Sequence, residues 1–529
     1  MVSLMDFNYV HSDKSALPFV SYSNFFANPF YLRTLSRLVG IDAAPLASAK
    51  ILDLGCASGG NILPFALKFP YSYSIGIDLS SKLVSKGNDL KFSLNLTNID
   101  LICCDILDVD TSFGTFDYII VHDVFSLVSD EVRNKILAIC KENLNENGLA
   151  YISYNTLPGW NNLATIRELA LYHSNNFEEI PEKINQIRLL FDFVKEAVKE
   201  SDSAYAKLMF ETSELLTDKP DYSIAHDFLQ TYNKAFYFSS FMEEATKVGL
   251  QYVVDAEITK MYIHNYSKII SEKLGDIEDV VRMEQYLDFI TNRAFRQTIL
   301  CHNHQLIHRK IPMDTLVDYY FKMNLVRSPE EEISKEELNQ TVIFYLNNDP
   351  EDTVSTKNPM LKAIFEVFSE NNGYLSFHNL ISLSANRLSE INILELEAQA
   401  KVSLMDLFLK GKIDIRADFI PINSHEMDTP KVWEYVTAQA IYLKQKVVTN
   451  LYFESVQLSL FEYYLVRYLD GNNTKEVIIS KMLDHFNNGD LISSYKGTKV
   501  TSEEKLREII SLAYLDALEK FRNQALLVC

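Results

Sequence analysis

The chain has 529 residues, of which 47% are hydrophobic and 23% charged, and its formal net charge is −21. That length predicts three or four domains with ample core. The charge argues against a sequence-independent nucleic-acid binder, which needs a basic stripe to displace counterions; it suits a basic partner such as a lysine-rich protein surface, or solubility alone.

The first ten residues, MVSLMDFNYV, lack a basic region followed by an apolar core, so no secretory leader is expected. No apolar run is long enough to cross a bilayer. The six cysteines, Cys56, Cys103, Cys104, Cys140, Cys301 and Cys529, show no paired spacing, which reads as reduced thiols and a cytoplasmic protein. Next comes PFVSYSNFFANPF, Pro18–Phe30. It reads as a packed helix or as a lid whose Tyr22 reaches a ligand carboxylate.

KILDL, Lys50–Leu54, reads as a short buried strand, and LPFALKF as the body of a helix. Between them runs ILDLGCASGGN, Ile51–Asn61, a glycine-rich turn at the carboxyl edge of a parallel sheet, where open α/β folds bind ligands. A triphosphate loop needs a Gly-Lys-Ser/Thr ending that is absent. A dinucleotide loop needs G-x-G-x-x-G, which Gly55, Ala57 and Gly60 meet only loosely. S-adenosylmethionine is the third option, with Asp53 two residues before the first glycine, able to reach the loop backbone or an ammonium. A second strand, SYSIGIDLS, ends in Asp78, placed to accept both ribose hydroxyls. A third, NIDLICCDILD, ends in Asp105, placed to accept from an adenine amino group. Each acid alone is equally well a helix N-cap. Together they favour S-adenosylmethionine, because a dinucleotide fold predicts neither Asp53 nor Asp105. A fourth strand spans Phe116–Val121. The helix after it is expected to end at Gly148, before a fifth strand, LAYISYNT. The position after the fourth strand reads VHDVF instead of the N/D-P-P-aromatic motif of nucleobase amino-methyltransferases.

Beyond Trp160 the pattern turns helical. Ile184, Ile187, Phe191, Val194 and Val198 share one face, and a second helix is expected over about Ala204–Leu216. The last strands of the sheet are placed near Phe236–Phe238 and Leu250–Val254. Cys301, His302, His304 and His308 cluster in sequence but match no common zinc spacing, so helix-end packing is expected and no metal. RSPEEEISKEELN and LNNDPEDTVSTKNP read as linkers or strand-bounding loops. From Pro359, three helices and the strand KIDIRAD suggest a winged-helix-like module. Residues 359–430 hold six Lys/Arg against ten Asp/Glu, which favours protein contact over DNA. A final helical domain is expected, its last helix opened by a capping box of Thr501 and Glu504.

ILDLGCASGGN, FDYIIVHDVFSLVSD, GLAYISYNTLPGW, NKAFYFSSFMEEATKVGLQYVVDAE and TNRAFRQTILCH resemble the class I S-adenosylmethionine-dependent methyltransferases, in the branch with an attached regulatory domain. Within it the resemblance is to the rickettsial-type protein-lysine methyltransferases that modify outer membrane protein B. It implies an α/β fold: a Rossmann-like class I core over 1–160 and 226–285, with a helical insertion over 161–225 as a possible dimerisation element. A helical regulatory or middle region would follow over 286–358, a winged-helix-like module over 359–440 and a helical domain over 441–529.

The activity implied is methyl transfer to protein lysines by a homodimer, with no nucleic-acid partner and no membrane insertion. A small-molecule or other N/O-methyltransferase with a regulatory tail is the alternative. The cofactor residues implied are Tyr22, Asp53, Gly55, Cys56, Ala57, Ser58, Gly59, Asn61, Asp78, Leu79, Ser80, Asp105, Ile106 and His122. Asp123, where many relatives have glycine, puts a carboxylate near the reacting centre. Tyr154 and Asn155 are expected to offer polar groups there, and Trp160 a π face for the lysine channel.

Overall fold

The computed structural model describes residues 21–328, 341–347, 349–371, 373–388, 392–422, 427–495, 498–500 and 502–528. The segment MVSLMDFNYV, Pro18–Val20, most of RSPEEEISKEELN, Thr501 of the expected capping box and Cys529 lie outside them.

A seven-stranded sheet forms the first half, in the order β3-β2-β1-β4-β5-β7-β6. Its strands are β1 (Lys50–Leu54), β2 (Tyr73–Asp78), β3 (Ile99–Cys103), β4 (Phe116–Val121), β5 (Leu144–Asn155), β6 (Leu250–Asp255) and β7 (Phe295–His302). Pairing is parallel from β3 to β5, while β7 runs antiparallel to both β5 and β6. β1 pairs with β2 on one side and β4 on the other, so the chain reverses its winding there and leaves a crevice at the strands' carboxyl ends. Apolar runs such as IIV in β4 are buried, as a strand covered on both faces requires.

Helices α1 (Pro29–Leu38), α2 (Leu63–Lys68), α3 (Ser81–Ser93) and α4 (Asp130–Glu142) belong to this layer. Ser80 and Ser129 cap α3 and α4 by accepting from Leu83 N–H and Val132 N–H. α4 stops at Glu142, and the expected terminal Gly148 sits inside β5. The insertion is α5 (Trp160–Ser174), α6 (Ile180–Val198), α7 (Ala204–Thr217) and α8 (Asp221–Phe228), around its own small core of Ile187, Phe191, Met209 and Phe228. α9 (Phe238–Lys247) then leads into β6.

Two expectations fail here. Phe236–Phe238 is no strand: Phe236 makes one isolated bridge to Thr156, and Phe238 opens α9. The region 286–358 is not a helical domain. It contains β7, the central partner of β5 and β6, then short strands at Tyr320–Lys322, Leu325–Arg327, Val342–Leu346 and Asp349–Thr356. β7 escapes a periodicity reading because its buried positions include Arg296 and Gln297. Arg296 is fully buried against Glu284 and Asp288, on the helix α10 (Val280–Thr291), and lies 3.7 Å over the Phe238 ring. The acidic stretch expected as a linker or strand-bounding loop, LNNDPEDTVSTKNP, itself supplies the edge strand Asp349–Thr356, where a proline is tolerated.

Beyond it stand helices Pro359–Glu370, Phe377–Ala385 and Ile393–Leu409 with the strand Asp414–Arg416. Helices Leu460–Leu465, Lys475–Asn487 and Glu503–Asn523 follow, with the hairpin Val447–Thr449/Ser455–Gln457. The last helix starts at Glu503 with Ser502 as its cap residue. One continuous apolar core runs from α1 through these elements, so the C-terminal half packs directly on the sheet. Among the described residues, no helix is long and apolar enough to cross a membrane.

Candidate active site

The crevice at the β1/β4 reversal encloses about 850 Å³. Its floor is the loop after β1. Gly55 takes φ +83° there, and a Cβ on it would stand 2.4 Å from Val124 Cγ2, so only glycine fits. Ala57, where a relative's glycine would stand, accepts φ +51°. Its N–H donates to Asp78 Oδ2 at 2.9 Å, and Ser80 N–H donates to Asp78 Oδ1 at 2.8 Å. Asp78 is thereby fixed at the tip of β2, and each oxygen keeps a lone pair for a ligand hydroxyl.

Asp53 is 2% exposed, and its Oδ2 has no hydrogen-bond partner. Burial, then the neighbouring Asp78 carboxylate, push its carboxyl up to about 7, against a hydrogen bond from Asn61. A buried oxygen without a partner beside a ligand crevice fits a cationic group there. Asp105 caps the turn after β3, accepting from Leu107 N–H at 2.9 Å, and lines the crevice with Ile106. Val124, Leu127, Val128 and Val132 form an apolar wall suited to a flat base.

The roof comes from two segments far apart in sequence. Residues 21–27 form the first. Ser21 Oγ accepts from Gly60 N–H at 3.0 Å, and Asn24 N–H donates to Asn61 Oδ1 at 2.7 Å. Asn24 Oδ1 accepts from Phe26 N–H and Ala27 N–H, which turns its amide nitrogen toward His122 Nε2 at 2.9 Å. His122 Nε2 therefore accepts, and its Nδ1 donates toward Tyr151 Oη, 3.1 Å away, whose own proton goes to Gln297 Oε1. The second segment is α8, which contributes Tyr222, Ser223, His226 and Asp227. Tyr22 and Tyr222 meet through their hydroxyls, and burial with that contact raises the Tyr22 phenol. Burial opposes the charging of His226, yet the Asp227 hydrogen bond and the Asp123 and Asp227 charges raise it. Asp227 also pairs with Lys219 at 2.8 Å.

Asp123 lies at the mouth with φ +55°, its N–H donated to Ser153 Oγ at 2.8 Å and its carboxylate 3.5 Å from His122 Nε2. The arrangement offers acids to a ribose, an adenine amine and an ammonium, and leaves a half-exposed carboxylate facing the remaining space.

Of the residues expected from sequence, Tyr22, Asp53, Gly55, Cys56, Ala57, Asn61, Asp78, Leu79, Ser80, Asp105, Ile106, His122 and Asp123 line this one crevice. Ser58 and Gly59 belong to the same loop but do not line the crevice. Three others are placed elsewhere. Tyr154 is buried, stacked on Phe241 at 4.2 Å, and its hydroxyl meets Thr298 Oγ1 at 3.0 Å. Strand alternation explains this: Ser153 turns its hydroxyl to Asp123 N–H and His122, behind the crevice wall, so Tyr154 points to the opposite face and its core. Asn155 donates its backbone N–H to Ser126 Oγ at 2.8 Å and its side-chain amide to Asn233 Oδ1 at 2.9 Å, and does not line the crevice. Trp160 begins α5, outside the crevice lining. Sequence reading missed Asn24 and the polar residues of α8. The Asn-Phe-Phe-Ala-Asn-Pro pattern, a doubly capped helix start, was a usable signal for the first; α8 had none beyond its amphipathic pattern.

Cys301 points into the core, and His302 Nε2 lies 3.0 Å from the Leu144 carbonyl. Among the described residues, no group of three His, Cys, Asp or Glu is placed to hold a metal ion.

A family model described as a methyltransferase domain matches residues 51–148. A second, "Predicted methyltransferase regulatory domain", matches 220–302, which spans α8, β6 and β7 and so completes both roof and sheet. A third, the C-terminal winged helix domain of PKMT, matches 428–526, downstream of the 359–440 stretch where sequence placed such a module. Among solved structures, PKMT2 from Rickettsia typhi superposes with a TM-score of 0.88 at 33% identity, over 97% of this chain and all of that one. PKMT2 in complex with AdoHcy gives 0.89 at 34% identity over the same shares. The uncharacterised Rickettsia prowazekii (strain Madrid E) protein RP789 is 40% identical over 98% of this chain and 94% of its own length.

Proposed function

This chain belongs to the rickettsial PKMT family of class I methyltransferases, and from that premise we propose that it moves methyl groups from S-adenosylmethionine to lysines of a bacterial surface protein of the outer membrane protein B type. The observation that carries the reading is the row of Asp53, Asp78 and Asp105 along one crevice, with Asp123 at its mouth. Asp78 grips the ribose, Asp105 the adenine amine and Asp53 the ammonium of the methionine end. When bound, S-adenosylmethionine supplies a methyl group already activated on its sulfonium.

The chain's own residues must admit and align a lysine. Deprotonating that amine at pH 7 costs about 4.6 kcal/mol. Asp123 and Asp227 attract the incoming ammonium but also raise its pKa, so they serve capture and the proton leaves to water. The His122 bonds to Asn24 and Tyr151 fix the wall against which the amine is aligned. A homodimer through α5–α7, whose outer faces expose Phe193 and Leu215, and a cytoplasmic site of action complete the reading.

Labelled S-adenosylmethionine incubated with the purified chain and outer membrane protein B fragments tests it. Label mapped to lysines is the expected result. Label confined to small molecules would replace it with a small-molecule methyltransferase. Within this scheme, Asp123→Asn is expected to raise KM for a lysine peptide about tenfold, the worth of one charge-assisted contact, with a smaller change in kcat. Steady-state kinetics at saturating donor check it.

A second expectation concerns pH. The Asp53 carboxyl sits at about 7 in the folded chain against 3.8 in the unfolded one. Its raised pKa stabilises the unliganded protein below about pH 4, and that contribution is lost as pH climbs through 7. A bound ammonium favours the carboxylate. S-adenosylhomocysteine affinity is therefore expected to rise from pH 6 to 8 with proton release, measured by calorimetry in two buffers of different ionisation enthalpy. A flat profile in the wild type, identical to that of Asp53→Asn, would contradict the role.

A further inference from the structure

The roof segment 21–27 has little structure of its own: one short turn, Phe25–Ala27, capped by Asn24. Yet it carries three of the bonds that shape the crevice, to Gly60, Asn61 and His122. What seats it comes from the C-terminal half. The Arg416 side chain is fully buried, its guanidinium carbon 4.5 Å from the centre of the Phe25 ring, 5.3 Å from Phe30, 5.5 Å from Tyr31 and 5.9 Å from Tyr374. Its Nη2 lies 2.7 Å from Asp414 Oδ2 and 3.6 Å from Glu454 Oε1. A cation caged this way joins acids of the C-terminal half to rings of the roof and of α1.

Three more bonds run the same way. Ser455 Oγ donates to the Ser23 carbonyl at 3.0 Å, Ala417 N–H donates to Thr34 Oγ1 at 3.1 Å, and Arg33 pairs with Asp418 at 2.6 Å. Glu454 and Ser455 lie inside the matched winged-helix domain. Alongside lies a cavity of about 720 Å³ lined by Phe25, Phe26 and Tyr31 together with Asp414, Glu454 and Ser455. The rings are thus held at the acids' side, with open space next to them.

We propose that Arg416 is a positioning residue for the donor site: through Phe25 and Tyr31 it holds segment 21–27 over the crevice, so that S-adenosylmethionine affinity depends on the C-terminal half. This rests on the assignment of the crevice to S-adenosylmethionine. Arg416 touches neither donor nor lysine; its effect passes through Asn24 to Asn61 and His122. By linkage, anything that draws Arg416 away from Phe25, or Ser455 away from Ser23, weakens donor binding, and a bound donor favours the seated contacts by the same factor.

The test uses the full chain and S-adenosylhomocysteine as probe. Arg416→Met is expected to weaken its binding by tenfold or more and to speed amide exchange at residues 23–27 and Gly60, while exchange in β1 and β4 stays slow. Arg416→Lys, which keeps the cation, is expected to recover part of the affinity. Because Arg416→Met also strands Asp414 and Glu454, Phe25→Leu and Ser455→Ala serve as milder variants. Each is expected to weaken the probe several-fold, and Ser455→Ala, which lies outside the crevice, to keep kcat at saturating donor within about twofold of wild type. Wild-type affinity in both milder variants overturns the proposal even if Arg416→Met does not fold. Failure of the wild type itself to bind the probe would instead refute the crevice assignment.

Discussion

Replacing Asp78 with alanine is expected to weaken S-adenosylhomocysteine binding by two to four orders of magnitude. A carboxylate accepting two ribose hydroxyls forms two charge-assisted hydrogen bonds, each worth about 1.5–3 kcal/mol. The same carboxylate also receives the N–H groups of Ala57 and Ser80, so its loss frees the floor of the crevice as well as the sugar. Asp78→Asn, which keeps one acceptor oxygen, is expected to fall between wild type and alanine. Calorimetry at constant pH measures the series. An affinity within threefold of wild type for Asp78→Ala would remove ribose recognition from this strand tip.

The largest effect on stability is expected from Arg296→Met, at about 3–5 kcal/mol of destabilisation, the cost of breaking a buried ion pair from one side. Its guanidinium bonds Asp288 through Nε at 2.7 Å and Nη2 at 2.8 Å, and Glu284 Oε2 through Nη1 at 2.9 Å. Without it, Glu284 and Asp288 lose their bonded cation and Asp255 a second one 3.5 Å away, leaving Arg293, 2.8 Å from Asp255 and 4.0 Å from Asp288, as the remaining buried cation. Burial already raises both Glu284 and Asp288. Carboxyls with raised pKa contribute stability at low pH and lose it as pH rises, so the variant is expected to recover on acidification from pH 7 to 5. Adding Glu284→Gln and Asp288→Asn should restore much of the loss. Urea midpoints of the three proteins decide it.

The two predictions fall on opposite sides of what the sequence displays. Strands β1 to β4 are apolar runs with an acid at or just beyond their carboxyl ends, so both the element and the acid at its tip are visible in a dozen residues. β7 is equally central, but a strand that buries an arginine looks polar, and only α10 supplies the acids that make the burial tolerable. At the end of β5, the residues Tyr154, Asn155 and Trp160 read as an active-site rim. Beside antiparallel β7, however, that strand has neighbours on both sides, and pleating turns the tyrosine into the core. The roof was half legible: Tyr22 stood out, whereas α8 needed the fold to bring Tyr222 and His226 back over a loop some 160 residues upstream.

The position of β7 also bears on how the chain is made. β5 emerges from the ribosome well before its outer partner, with about 150 residues between Asn155 and His302. At roughly 5–20 residues per second, translation leaves that flank open for about 7–30 s. In that interval β5 presents a bare row of amides and carbonyls beside an apolar face, the feature that seeds intermolecular pairing. Newly made protein is therefore most prone to aggregate midway through synthesis, and chaperone occupancy should peak on nascent chains that have passed β5 but not yet released β7.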